Sequence, residues 1–230
     1  MKIGGMQKVS LIDFPGRVAA VLFTAGCNFA CPYCHNPELV NPKPDGLLDT
    51  EAVFRFLEKR RGMLDGVVIT GGEPTLQPDL AESILAIREM GFAVKLDTNG
   101  SRPEVLSGLF EKKLVDYVAM DAKTAPRLYP SYLKAACKPR DIEKSMELIM
   151  GSGVGYEFRT TCARPMVDPE VVKELCGCVA GAATWIFQPC GGDRTLVPGF
   201  GTRNGMSSRD DLSELAHLCS PFVKRAEIRA

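Results

Sequence analysis

The stretch Val18-Ala-Ala-Val-Leu-Phe23-Thr24-Ala-Gly-Cys27-Asn-Phe-Ala-Cys31-Pro-Tyr33-Cys34 decides how the chain folds. Its first six residues are apolar and read as a buried strand, and three cysteines follow in the loop into which that strand runs. Working outward, five more runs of the same kind lie at 66–70, 93–97, 116–120, 156–161 and 184–187. Helical patterns occupy 50–63, 78–90, 103–112, 140–150, 169–179 and 208–218. Thr50 before Glu51, Asp141 ahead of Lys144, Asp168 before Pro169, and Ser207 or Ser208 ahead of Arg209-Asp210-Asp211 are the expected helix caps. Strands alternating with helices of this length pair in parallel through right-handed crossovers. The expected fold class is α/β, a partial (β/α)6 barrel, with an open doubly wound sheet as the alternative. One domain is expected over 1–230, its core at about 17–190, with a long loop and a helix in 191–230.

Lysine plus arginine (28) equal aspartate plus glutamate (28), so no strong field draws the chain to nucleic acid or an anionic membrane. No signal-peptide core and no run of about 18 apolar residues is present. The expectation is a soluble cytoplasmic protein. Its nine cysteines then serve as metal ligands, catalytic groups or buried apolar residues rather than disulfides. Six of them, Cys137, Cys162, Cys176, Cys178, Cys190 and Cys219, are scattered, and most of these read as buried small side chains.

Cys27, Cys31 and Cys34 differ because they share one loop at the C-terminal end of a strand, where (β/α) barrels keep their chemistry. Three thiolates at this spacing take three irons of a cubane and leave the fourth to an outside ligand. Three other readings compete. A structural zinc site would add His35, although its adjacency to Cys34 cramps a tetrahedron. Cys31-Pro-Tyr-Cys34-His35 also matches c-type haem attachment, which needs export, and a redox dithiol would explain only two of the thiols.

The next strand ends carry polar groups as well. After the second come Thr70-Gly71-Gly72-Glu73-Pro74, where glycines admit close backbone approach and a carboxylate suits an ammonium; the plain alternative is a tight βα turn. After the third come Asp97-Thr98-Asn99-Gly100, otherwise an ordinary Asx turn. Met120-Asp121-Ala122-Lys123 ends the fourth, otherwise a solvated pair.

The C-x3-C-x2-C spacing, with aromatic Tyr33 before the last cysteine, resembles the radical S-adenosylmethionine (SAM) superfamily, which implies a barrel of the radical SAM type. The resemblance implies one [4Fe–4S] cluster on Cys27, Cys31 and Cys34 whose free iron chelates SAM, an electron then breaking the sulfur–carbon bond to give methionine and a 5′-deoxyadenosyl radical. Gly71, Gly72, Glu73 and Pro74 match the segment that holds the SAM amino group. Asp97 to Gly100 and Met120 to Lys123 resemble the glycyl-radical-enzyme activases. There Asp97, Thr98, Met120 and Asp121 would border a monovalent cation, with Thr98, Asn99 and Asp121 beside SAM and Lys123 reaching it. Arg159 looks like the activase arginine near cluster and substrate loop, a barrel-end salt bridge being the alternative. Gln188 stands where the pyruvate formate-lyase activator type has a histidine on the SAM ribose, a departure that an amide can still serve. The segments 3–16 and 31–39 resemble most closely the short anaerobic ribonucleoside-triphosphate reductase activating proteins. The implied partner is that glycyl radical enzyme. No ferredoxin-like C-x2-C-x2-C-x3-C run occurs, so an external donor such as flavodoxin or ferredoxin is expected. A small-molecule enzyme of the 7-carboxy-7-deazaguanine synthase kind and a non-catalytic iron–sulfur or zinc protein are the rival functions.

Overall fold

The computed structural model describes residues 1–134, 137–206 and 208–229. The fold is α/β, and its eight strands follow one another in the sheet in chain order. The chain divides into two compact units. The first comprises Met1–Asn28, Glu38–Thr98 and Glu104–Val118, and the second Phe29–Pro37, Asn99–Pro103 and Ala119–Ala230.

In the first unit β1 (Ile3–Ser10) runs antiparallel to β2 (Ala19–Thr24). Strand β2 then pairs in parallel with β3 (Gly66–Gly71), and β3 with β4 (Ala93–Thr98). The register places Val21 beside Val68 and Val68 beside Lys95. Valine, leucine and isoleucine fill β2 and β3 on both faces, as parallel strands covered on both sides require; Val21, Leu22, Val67, Val68 and Ile69 are all buried. The helices Thr50–Glu58 and Leu80–Glu89 bring Val53, Leu57, Leu80, Ile84 and Ile87 to that core. Phe14 packs on Ala19, Val21 and Val68, and its ring lies 6.2 Å from that of Tyr117.

Strand β5 (Tyr117–Asp121) carries the chain from the first unit into the second. There β6 (Gly155–Cys162), β7 (Trp185–Pro189) and β8 (Ala226–Ile228) pair in parallel. Helices Pro139–Gly151, Pro169–Cys178 and Arg209–Cys219 accompany them.

All six expected strands form, and β1 and β8 are additions. Strand β1 begins Ile-Gly-Gly and shows no alternation; it exists because β2 offers it an edge. Strand β8 has three residues, too few to register as a pattern. Its anchor is Arg229, whose guanidinium donates to both carboxylate oxygens of the buried Glu157 at 3.0 Å each. The first cap is a correction: Asp49, not Thr50, precedes the helix, and its carboxylate accepts from the Glu51 N–H at 3.0 Å. Asp141 is a second correction: the helix begins at Pro139 with Lys138 as its cap, and Asp141, inside the first turn, accepts from the Lys138 N–H at 3.2 Å. Ser208 caps the helix Arg209–Cys219 through the Asp210 N–H, and Ser207 lies outside the described residues.

The Asp168 carboxylate accepts from the Val171 N–H at 2.8 Å. Asp168→Ala should therefore cost about 1 kcal/mol, the usual value of a lost cap, with Tm lower by roughly 2–4 °C for a chain of this size. Thermal and urea unfolding of both proteins would check this, and an unchanged midpoint would contradict it.

Candidate functional site

In the first unit the end of β3 lies against the chain that leads to Cys27. The Gly72 N–H donates to Thr24 O and the Glu73 N–H to Gly26 O, each at 2.8 Å. Gly71 has φ +107°, and a Cβ on Gly72 would stand 2.1 Å from Gly26 O, so neither position accepts another side chain without moving backbone. From another direction the Gly26 N–H donates to Leu39 O at 2.7 Å and the Cys27 N–H to Val40 O at 3.2 Å. Gln77 completes the support: its amide donates to Ala25 O at 2.9 Å and accepts from the Lys2 N–H at 2.8 Å. Residues 25–27 are thus fixed by backbone before any thiol takes part.

Glu73 is buried, with 1% of its surface exposed. Its Oε1 accepts from the Thr75 N–H at 3.1 Å, the Thr75 hydroxyl at 2.5 Å and the Thr98 hydroxyl at 2.8 Å. The acid that the sequence assigns to an ammonium is also an internal tie from β3 to β4, followed by the 3-10 turn Pro74–Leu76. Asp97, at the end of β4, accepts from the Lys95 ammonium at 2.5 Å.

In the second unit Cys31 is buried and Cys34 half-buried. The Cys34 N–H donates to Cys31 O at 3.0 Å, closing the turn that contains Tyr33. The loop after β7 straps this turn: the Leu196 N–H donates to Cys34 O at 3.1 Å and the Val197 N–H to Pro32 O at 3.0 Å. Beside the turn, Asp121 holds two cations, one per oxygen. Arg159 Nε donates to Oδ1 and Lys123 Nζ to Oδ2, each at 3.0 Å. Lys123 also lies 5.9 Å from the Tyr33 ring centroid, and its N–H donates to the Tyr129 hydroxyl at 3.0 Å. Burial alone would raise the Asp121 pKa, but the Lys123 ammonium and Arg159 guanidinium outweigh it and hold the carboxyl at about 2. Lys123 stays charged for the reciprocal reason: burial lowers its pKa, and Asp121 more than restores it.

Tyr33, Lys123, Asp121 and Arg159 are therefore neighbours, and Arg159 forms the salt bridge that the sequence offers as the alternative to its functional role. Asn99 accepts from the Ser101 N–H at 2.9 Å, the Asx turn. Met120 is buried against Gly100, where a Cβ would fall 2.1 Å from its methyl group. Gln188 is half-buried on β7, in register with Thr161. Among the described residues no three His, Cys, Asp or Glu side chains converge on a single ion. Sequence reading missed Gln77, Tyr129 and Lys95; only Lys95 left a signal, a charge inside an apolar strand.

The radical SAM superfamily model matches residues 21–177. A Methanocaldococcus jannaschii protein, provisionally named a glycyl-radical enzyme activating enzyme, is 32% identical over 232 residues, covering 99% of this chain and 95% of its own. A 7-carboxy-7-deazaguanine synthase of Methanopyrus kandleri is 35% identical over 130 residues, 48% of this chain and 51% of that protein. Among solved structures, Streptococcus suis SuiB bound to the precursor peptide SuiA superposes with TM-score 0.69 over 91% of this chain and 48% of that one, at 14% identity. The chain belongs to the radical SAM superfamily and is an enzyme of that class. Membership implies a [4Fe–4S] cluster and SAM.

The donor set suits such a cluster: three thiols stand within eight residues, and all nine cysteines are free. The Tyr33 hydroxyl is buried with no hydrogen-bond partner among the described residues, a demand that a non-protein group beside the cysteine turn would meet.

Asp121→Asn removes the anion that Lys123 and Arg159 share. Asp121 is 33% exposed on its side chain, so the cost should be about 2 kcal/mol near neutral pH, below the ~3–5 kcal/mol of a fully buried pair. A depressed carboxyl stabilises the fold fully above its ordinary pKa of 3.8 and loses that contribution as pH falls through about 2. The difference between wild type and variant should accordingly shrink across that window. Urea titrations at pH 6 and at pH 2–3 would test it; a difference that does not change with pH would contradict the assignment.

Proposed function

We propose that this chain is a glycyl-radical-enzyme activating enzyme, with an anaerobic ribonucleoside-triphosphate reductase as its partner. The observation that carries the reading is the end-to-end match, 99% of this chain on 95% of a relative bearing an activase name. In this reading Cys27, Cys31 and Cys34 hold one [4Fe–4S] cluster and leave its fourth iron for the amino and carboxylate groups of SAM. When bound, the cluster supplies the electron that divides SAM into methionine and a 5′-deoxyadenosyl radical, which takes hydrogen from a glycine Cα of the partner. The chain's own residues bind, orient and shield. Gly71, Gly72, Glu73 and Pro74 shape the strand end for the SAM amino group. Lys123, held charged by Asp121, serves the SAM carboxylate. Tyr33, Thr98 and Asn99 contribute to SAM binding and Gln188 to its ribose, while Arg159, which also holds Asp121, serves near the cluster and the substrate loop.

The remaining six cysteines form no second cluster motif, so the electron comes from an external donor such as flavodoxin or ferredoxin. Free thiols in this number suit the reducing cytoplasm, and among the described residues no helix is long and apolar enough to cross a membrane. The similarity to a 7-carboxy-7-deazaguanine synthase over about half of each chain supports a second reading, a small-molecule radical SAM enzyme.

Anaerobic reconstitution, reduction and chromatography of 5′-deoxyadenosine test the shared chemistry. Wild type should form it from SAM, and Cys34→Ala should fall to background. Incubation with the reductase partner should then give the doublet of a glycyl radical in its paramagnetic resonance spectrum. Deoxyadenosine without that doublet, together with turnover of a deazapurine precursor, would favour the second reading; no deoxyadenosine from a protein with an intact cluster would refute both.

A further inference from the structure

Lys95 is a lysine in a place where lysine is rarely found. It lies in the middle of β4, in register with Val68 and, through it, with Val21, and only 2% of it is exposed. Alternation along the strand puts Lys95 and Asp97 on the same face, one layer apart. The four-carbon stem rises through the aliphatic layer and delivers the ammonium to Asp97 Oδ1 at 2.5 Å. A lysine so buried survives only with a partner, and Asp97 is that partner.

Activase resemblance predicts a monovalent cation bordered by Asp97, Thr98, Met120 and Asp121, and within the first unit Asp97 already holds a cation, the Lys95 ammonium. A sodium or potassium ion is held by oxygen donors, and Asp97 is the charged donor that the prediction assigns to this unit. The Lys95 ammonium offsets the charge of Asp97, while the Glu73 carboxylate is occupied by its own hydrogen bond from Thr98. Met120 turns its side chain to Gly100.

We propose that the Lys95 ammonium is a built-in replacement for that cation, so that Asp97 is neutralised by the chain itself and the protein needs no sodium or potassium. The inference rests on the activase reading only for the expectation that a cation belongs there. Lys95 is in these terms a positioning residue: it sets the charge and orientation of Asp97 at the head of the Asp-Thr-Asn-Gly turn.

The test compares tetramethylammonium chloride, too large an ion to enter, with potassium or sodium chloride at equal ionic strength. Two readouts are used: the calorimetric affinity of the reconstituted protein for SAM, and the unfolding midpoint of the protein without cluster. Wild type should change less than twofold in affinity and show no midpoint shift. Lys95→Met should bind SAM at least tenfold more weakly in tetramethylammonium and recover several-fold on adding potassium, which would then occupy the vacated side of Asp97. Wild type that loses tenfold in affinity without potassium, or whose midpoint rises with it, would overturn the proposal. So would a folded Lys95→Met protein with wild-type affinity in both salts. Should Lys95→Met not fold, the wild-type comparison still decides. Should SAM fail to bind at all, the activase reading falls, and the midpoint comparison decides the cation question alone.

Discussion

The close approach of Gly72 to the carbonyl of Gly26 is the constraint on which the rest of the first unit's site depends. At 2.1 Å from that oxygen even a methyl group is excluded, so two stretches of backbone 46 residues apart touch without side chains between them. Parallel pairing of β2 and β3 up to Thr24 and Gly71 brings the chains together, and the glycines let the contact continue past the last ladder residue. The two hydrogen bonds that follow, from Gly72 to Thr24 and from Glu73 to Gly26, hold the backbone immediately before Cys27. Each contributes only about 1 kcal/mol net, but both lie at the strand end, where a misplacement would pass directly to the first cysteine.

Charge burial is the second organising cost, and each instance is met inside its own unit. A carboxylate taken out of water costs several kcal/mol unless hydrogen bonds replace the lost solvent. Glu73 meets that demand with a backbone N–H and two threonine hydroxyls, Glu157 with the fork of Arg229, and Asp97 with Lys95. Asp121 takes two cations because it is the most exposed of these acids and water still screens part of the surplus.

Much of this was legible in the sequence, and the exceptions have physical reasons. Six strands could be read because parallel strands buried on both faces are nearly continuous apolar runs, and the tri-cysteine loop announced itself by spacing. Strand β1 could not, since Gly-Gly and Gln-Lys make no pattern and its pairing depends on β2. Asp121 and Lys123 could be read as one segment and Arg159 on its own, but that both Asp121 oxygens would be taken depends on side-chain geometry of β6 against the end of β5, which no spacing encodes. Glu73 was assigned to a ligand because Gly-Gly-Glu-Pro reads locally; its donor Thr98 is 25 residues away.

Lys95 illustrates how such a residue can be read before the structure is known. A charged residue at the centre of an apolar, parallel strand contradicts the local pattern, and contradictions of this kind concentrate where a chain gives up stability for function. The partner follows from period 2: a lysine at one position reaches a carboxylate two residues on along the same face, and Lys95-Leu-Asp97 has that spacing. Leu96 between them points to the opposite face and stays buried there, so the strand keeps its core contacts while presenting an ion pair on the other side. A pair with the same spacing occurs at Asp121-Ala-Lys123, where Lys123 lies two residues past the end of β5, Ala122 is the buried intermediate and the order of charges is reversed. Two strand ends of this protein thus use one local device, a lysine and an aspartate two residues apart, to carry charge at the edge of an apolar core.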